Sequence, residues 1–193
     1  IHLRFNEPAL VERFIGGLDV NELSAPVLIS NAGDVYALPI LELDLNKVSN
    51  PPGNCNFLTQ AFKEENRAKC LKVEDKIYLK VPAVLNQEMT DRINSDVATI
   101  VNAVSCRDMA RVDIRWDSTG LYYIELNVNP GKNRFSYLMM AGYSLGLSYA
   151  EMISFIPYQA LLRYGIQPTK QLERLVAPVT SLFEKDVAVE TIR

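Results

Sequence analysis

The sequence predicts an α+β domain, an antiparallel sheet backed by helices. Three observations carry that prediction. Arg111–Trp116 and Leu121–Asn127 alternate polar with apolar residues around Asp117-Ser118-Thr119-Gly120, the pattern of two strands joined by a tight turn. Val27-Leu28-Ile29 and Val35-Tyr36-Ala37 flank the turn residues Asn31-Ala32-Gly33-Asp34, a second hairpin. Four further stretches carry helical spacing or helix-start signals.

Taken in order, residues 10–15 read as a short strand ended by Gly16-Gly17. Residues 21–31 are polar and mixed, and residues 35–43 read as another strand or pair of strands. Residues 46–80 are the least regular part, a Ser-Asn-Pro-Pro-Gly-Asn cluster followed by mixed charge that includes Lys63, as in a surface loop. Met89, Ile93, Val97, Ile100, Val101 and Val104 share one face of a predicted helix from Asn86 to Ser105. After the hairpin, Pro130-Gly131 breaks the strand, and Ser136 can cap a helix over residues 137–145. Ser148-Tyr149-Ala150-Glu151 is a capping box opening a helix to Tyr164, with Pro157 expected to kink it. Residues 169–183 place Leu172, Leu175, Val176, Val179 and Leu182 on one face of a last helix.

Composition narrows the function classes. The 193 residues are 48% apolar and 22% charged, as in ordinary globular proteins, and the formal charge of −3 leaves no basic footprint for nucleic acid. No apolar run reaches the length of a membrane span, so no membrane association is expected. Cys55, Cys70 and Cys106 are odd in number and form no CxxC pair, which favours reduced thiols and a cytoplasmic protein. His2 is the only histidine, which excludes a Ser-His triad within this chain.

The hairpin also carries the candidate chemistry. With Ser118-Thr119-Gly120 as a three-residue loop, Asp117 faces Leu121, Asp113 lies opposite Glu125 and Arg111 opposite Asn127. Val112, Ile114 and Trp116 then pair with Leu126, Ile124 and Tyr122 on an apolar face. Two carboxylates, an amide and a guanidinium converge on the polar face. Hard oxygen ligands of this kind suit Mg²⁺, which leaves its remaining positions to water and substrate phosphates. A solvated sheet face with a cross-strand arginine fits the same spacing, and spacing alone leaves both readings open.

The run Arg111-Val112-Asp113, then Glu125-x-Asn127-x-Asn129-Pro130-Gly131, then Ser136, resembles the C-terminal signature of the ATP-grasp enzymes, and within them the D-alanine–D-alanine ligase family. The resemblance covers most of residues 10–165. It implies that Asp113, Glu125 and Asn127 hold the Mg²⁺ (or Mn²⁺) ions bridging the ATP phosphates. Arg111 would stabilise the transferring phosphoryl group, and Ser136 would contact the second amino acid. Residues 12–19 resemble the family's adenine-binding linker, with Glu12 accepting from the adenine amine, Arg13 and Ile15 in the strand beside the base, and Asp19 meeting the ribose. An edge strand with a turn is the plainer reading of that stretch. Phe57 to Lys63 matches the family's flexible loop at its first aromatic and its lysine, which makes Lys63 a candidate phosphate ligand; a solvated charge is the other reading.

Three departures stand out: the hairpin is one residue shorter than is usual in the family, Asp19 replaces a glutamate, and the Phe57–Lys63 loop lacks the Tyr-Asp-Tyr of the family motif. The resemblance implies an ATP-dependent ligase joining two amino acids, with ATP and small amino acids as its partners and a homodimer compatible with it. It assigns residues 1–165 to the ATP/Mg-binding portion, residues 166–193 to a helical tail, and the site for the first amino acid to a part upstream of Ile1.

Overall fold

The computed structural model describes residues 8–16, 20–44 and 79–190. The expectations for Asp19, Lys63 and the loop around them fall outside the described residues.

One antiparallel sheet organises the chain. Its strands are β1 (Asn21–Ile29), β2 (Val35–Ala37), β3 (Leu41–Leu43), β4 (Leu79–Lys80), β5 (Asp108–Asp117) and β6 (Gly120–Asn127). They lie in the order β4-β3-β1-β5-β6, and β2 pairs with the far end of β1. Residues 21–26, read from sequence as polar and mixed, therefore begin the nine-residue central strand. Pro26 argues against a central strand, because it has no N–H for a ladder. Here β1 pairs with β3 over residues 22–24 and with β2 over residues 27–29. Pro26 meets the junction between them, where its carbonyl accepts from the Leu38 N–H at 3.0 Å, so the missing donor interrupts no ladder bond.

Helices cover both faces of the sheet. α1 (Gln87–Ala103) is capped by Asn86, whose side chain accepts from the Met89 N–H at 2.8 Å. It packs Ile93, Val97 and Val101 onto Leu23, Ala25, Val27, Ala110, Val112 and Ile114. The opposite face carries α2 (Tyr137–Ser144), α3 (Tyr149–Arg163) and α4 (Lys170–Glu190). Leu28, Leu41 and Met109 of the sheet meet Leu138 and Met139 of α2, Met152 and Phe155 of α3, and Val179 of α4. The 4-residue spacings in α1 and the 2-residue alternation in β1 and β5 are what bring these faces together.

The predicted capping box of α3 is present in both directions. Pro157 lies inside α3 without ending it. Gly146 (φ 82°) and Gly165 (φ 67°) take the left-handed position that follows α2 and α3. α4 is part of the core: the Phe183 ring lies 5.9 Å from that of Phe155, nearly parallel, and 5.9 Å from that of Tyr36.

Two expectations need correction. Residues 10–15 form no strand, and Leu10, Val11 and Phe14 are exposed. The β5–β6 register holds at Arg111–Asn127, Val112–Leu126 and Asp113–Glu125 but shifts between Asp113 and Ile114, after which Ile114 pairs with Tyr123, Trp116 with Leu121 and Asp117 with Gly120. The turn is therefore two residues, Ser118 and Thr119, with the Asp117 side chain accepting from the Thr119 N–H at 2.7 Å. The residue lost from the turn is taken up by a bulge, and Ile124 is left half exposed instead of facing the core.

Candidate active site

Alternation along β5 sends Met109, Arg111, Asp113 and Arg115 to the face that bears α2–α4. Met109 lies under the helices, whereas Arg111 lies against Tyr137 in the first turn of α2. Cross-strand pairing adds Glu125 and Asn127 from β6, and Ser24 and Glu22 from β1. The bulge falls just beyond Asp113, so it leaves this polar set in register.

Asp113 is the hub. Its Oδ1 accepts from Arg111 Nε at 2.8 Å and from the Ser24 hydroxyl at 3.0 Å. Its Oδ2 accepts from Arg111 Nη2 at 2.7 Å and from Asn127 Nδ2 at 3.1 Å. Both members of the ion pair are largely covered, with side-chain exposures of 17% for Arg111 and 23% for Asp113. Burial disfavours the charged guanidinium, but the hydrogen bonds and charge of Asp113, with the Tyr137 and Glu125 acids nearby, outweigh it and hold Arg111 above its ordinary pKa. The Arg111 guanidinium also lies 5.5 Å from the centre of the Tyr137 ring, which brings the first turn of α2 over the site.

Ser136 occupies the N-cap position of α2, but its side chain makes no cap hydrogen bond. The hydroxyl is buried and has no partner among the described residues, which is uncommon for a buried polar atom. The loop before it is anchored by two tyrosines: Tyr149 donates to the Lys132 carbonyl at 3.1 Å and Tyr143 to the Arg134 carbonyl at 3.0 Å. Gly131 packs against Ser136, where an added Cβ would sit 3.6 Å from the serine Cβ. Arg134 stacks on the Tyr149 ring at 4.4 Å.

Of the residues that the resemblance places beside adenine, Glu12 and Arg13 are exposed and Ile15 is half buried. The segment is tied to the sheet by Arg115, which donates to the Ile15 carbonyl at 2.6 Å and to Glu22 Oε2 at 2.8 Å and lies 5.4 Å from the Phe14 ring centre. Arg13 reaches the Tyr122 hydroxyl at 3.1 Å. Residues 13–15 thus dock at the end of the strand that holds Arg111 and Asp113.

Sequence reading missed Ser24, Glu22, Arg115 and Tyr137. Arg115 extends the alternating series Arg111, Asp113, Arg115 and was legible there. The β1 residues had no local signal, because they reach the site only through pairing with β5.

Asp113, Glu125 and the Asn127 amide oxygen have the donor chemistry of a Mg²⁺ or Mn²⁺ site, two carboxylates and an amide with other positions left to phosphate oxygens and water. Among the described residues no group of three or more His, Cys, Asp or Glu side chains could hold a metal, so a cation here would draw on Asn127 and on ligands from outside the chain. No helix among the described residues is long and apolar enough to cross a membrane.

Comparison with known proteins agrees with this architecture. Residues 2–156 match the family model described as D-ala D-ala ligase C-terminus. The chain is 28% identical over 162 residues to a D-alanine–D-alanine ligase of Bordetella petrii, a match that covers 81% of this chain and 42% of that protein. Two crystal structures of the D-alanine–D-alanine ligase of Bacillus anthracis share the fold. One, at 20% identity and TM-score 0.54, covers 80% of this chain and 43% of that chain; the other, complexed with ATP, has 18% identity and TM-score 0.51 and covers 77% and 39%. The chain spans less than half the length of each of these relatives. With its α+β ATP-grasp fold and a family match over most of its residues, the chain belongs to the family of the D-alanine–D-alanine ligase C-terminus.

Proposed function

We propose that this chain forms the ATP- and metal-binding portion of an ATP-dependent ligase that joins two amino acids through an acyl phosphate. The observation that carries the proposal is the convergence of Arg111, Asp113, Glu125 and Asn127 beside the first turn of α2, where the Ser136 hydroxyl is buried without a partner among the described residues. The family membership supports the ligase class, and the ATP bound to one of the Bacillus anthracis structures supports ATP as the nucleotide.

In this reading a carboxylate oxygen of the first amino acid attacks the γ-phosphorus of ATP and ADP leaves. The amine of the second amino acid then attacks the acyl carbon, phosphate departs, and the amine proton is released. When bound, Mg²⁺ or Mn²⁺ supplies charge neutralisation and alignment of the phosphate oxygens. Asp113, Glu125 and Asn127 hold it. Arg111 places its guanidinium against the equatorial oxygens of the moving phosphoryl group, a fixed positive charge in a partly dry site. Ser136 offers its hydroxyl and the N–H groups at the positive end of α2 to the carboxylate of the second amino acid. Glu12, Arg13 and Ile15 face the adenine, with Asp19 at the ribose and Lys63 at the phosphates.

D-Alanine is the substrate assigned to both positions, following the relatives; a different amino acid or carboxylate is the first alternative. A cytoplasmic enzyme fits the odd number of cysteines, of which Cys106 is a free thiol. A nucleotide-binding module without turnover is the second reading, favoured by the Phe57–Lys63 sequence, which lacks the Tyr-Asp-Tyr of the family motif. Calorimetric titration with ATP, with and without Mg²⁺, and ADP and phosphate release with D-alanine from the polypeptide carrying this chain test the proposal. Metal-dependent ATP binding with ADP release that depends on an amino acid supports the ligase, tight Mg-ATP binding without release the module, and no ATP binding overturns both.

A further inference from the structure

We propose that Arg111 and a divalent cation compete for Asp113, so that the guanidinium vacates this carboxylate when the cation enters. The inference rests on reading Asp113 as a cation ligand. A carboxylate presents about four lone-pair sites, and four donors meet Asp113: Arg111 Nε and Nη2, the Ser24 hydroxyl and Asn127 Nδ2. A cation can reach an Asp113 oxygen only by replacing one of them.

Charge and geometry select the arginine. Ser24 is 1% exposed in the middle of β1, so its hydroxyl has nowhere else to go. Asn127 is neutral and turns its amide nitrogen toward Asp113, which leaves its oxygen as a donor for the same cation. Arg111 alone carries charge of the sign that repels a cation. It also has a second attachment, the Tyr137 ring at 5.5 Å, that does not depend on Asp113. Glu125, directly across the ladder from Asp113 and exposed, adds the second negative charge that draws the cation in. The consequence is an ordering: the guanidinium is held on the carboxylate until the cation arrives, and only then is it free for a phosphoryl oxygen.

The test uses MnCl₂ alone, without nucleotide, with free Mn²⁺ followed by electron paramagnetic resonance. Arg111→Gln should bind Mn²⁺ roughly five- to tenfold tighter than the unmodified chain, because a largely covered charge-assisted pair no longer has to be broken. Arg111→Lys should fall between them, since an ammonium keeps the charge but cannot bridge both oxygens. Asp113→Asn should lose Mn²⁺ in either background. Circular dichroism checks the fold of each variant; if Arg111→Gln does not fold, the comparison of Arg111→Lys with the unmodified chain decides on the same criterion. Mn²⁺ binding no tighter without the guanidinium overturns the competition while keeping Asp113 as a ligand. No Mn²⁺ on any variant overturns the ligand assignment, and the competition with it.

Discussion

Arg111 and Asp113, two residues apart on β5, are joined by two hydrogen bonds of 2.8 and 2.7 Å, and the same carboxylate is held from the next strand by a serine 89 residues away in sequence. A carboxylate tied to an arginine on its own strand and to a hydroxyl on another is fixed in place by the sheet itself. Ser24→Ala should therefore cost about 1.5–3 kcal/mol, the net worth of a hydrogen bond to a charged group. Urea denaturation measures it; an unchanged midpoint would mean that Asp113 does not need its partner on β1.

Glu125 stands across from Asp113, exposed, and gives the sheet little support. Glu125→Gln should leave stability within about 0.5 kcal/mol. Under the proposed function, turnover should fall by roughly 100-fold or more, because the loss of a metal ligand removes several kcal/mol from the transition state. ADP release at saturating ATP is the readout, and an undiminished rate would remove Glu125 from the proposed metal site.

Two serines at helix starts separate a structural role from a binding role. The Ser148 hydroxyl accepts from the Glu151 N–H at 3.2 Å within a complete capping box, so Ser148→Ala should cost about 1 kcal/mol. Ser136 sits at the same position of α2 without a cap bond. Ser136→Ala should cost less than about 0.5 kcal/mol while weakening use of the second amino acid, seen as a raised KM. Equal destabilisation of the two variants would make Ser136 an ordinary cap.

Alkaline pH should loosen the contact between β6 and α1. Tyr123 donates to Asp96, and burial first, then that hydrogen bond and the Asp96 charge, push its pKa up against the opposing pull of Arg92. Burial also raises that of Tyr143. A phenol that keeps its proton longer when folded adds stability that is whole below the unfolded value of about 10 and is lost as pH rises above it. Melting temperatures from pH 8 to 11 should fall on the alkaline side, and Tyr123→Phe should fall less steeply. The same slope in both would remove Tyr123 as a contributor.

Phe183 tests whether the last helix is structurally dispensable. Its ring stacks on Phe155 and tilts against Tyr36. Phe183→Ala should cost about 2–3 kcal/mol, less than a fully buried phenylalanine because Phe183 is only partly covered. A shift below about 0.5 kcal/mol would show that α4 adds little to the core.

The sequence alone determined what repeats locally. Alternation set β5 and β6 and placed Arg111, Asp113, Glu125 and Asn127 on one face; the 3.6-residue period set α1; the cap residues set the start of α3. These patterns are legible because each depends on neighbours a few residues apart. The position of β1 was decided by tertiary structure, since its pairing with β5 joins residues from Ile29 and Asp108 to Asn21 and Trp116, far apart in sequence, and Pro26 argues locally against a strand. Ser24 and Glu22 meet Asp113 and Arg115 through that pairing, and Arg115 in turn holds residues 14–15. The bulge after Asp113 is likewise a property of two strands together, which is why the turn is one residue shorter than the sequence suggests while the pairing of Arg111 with Asn127 and of Asp113 with Glu125 is as expected.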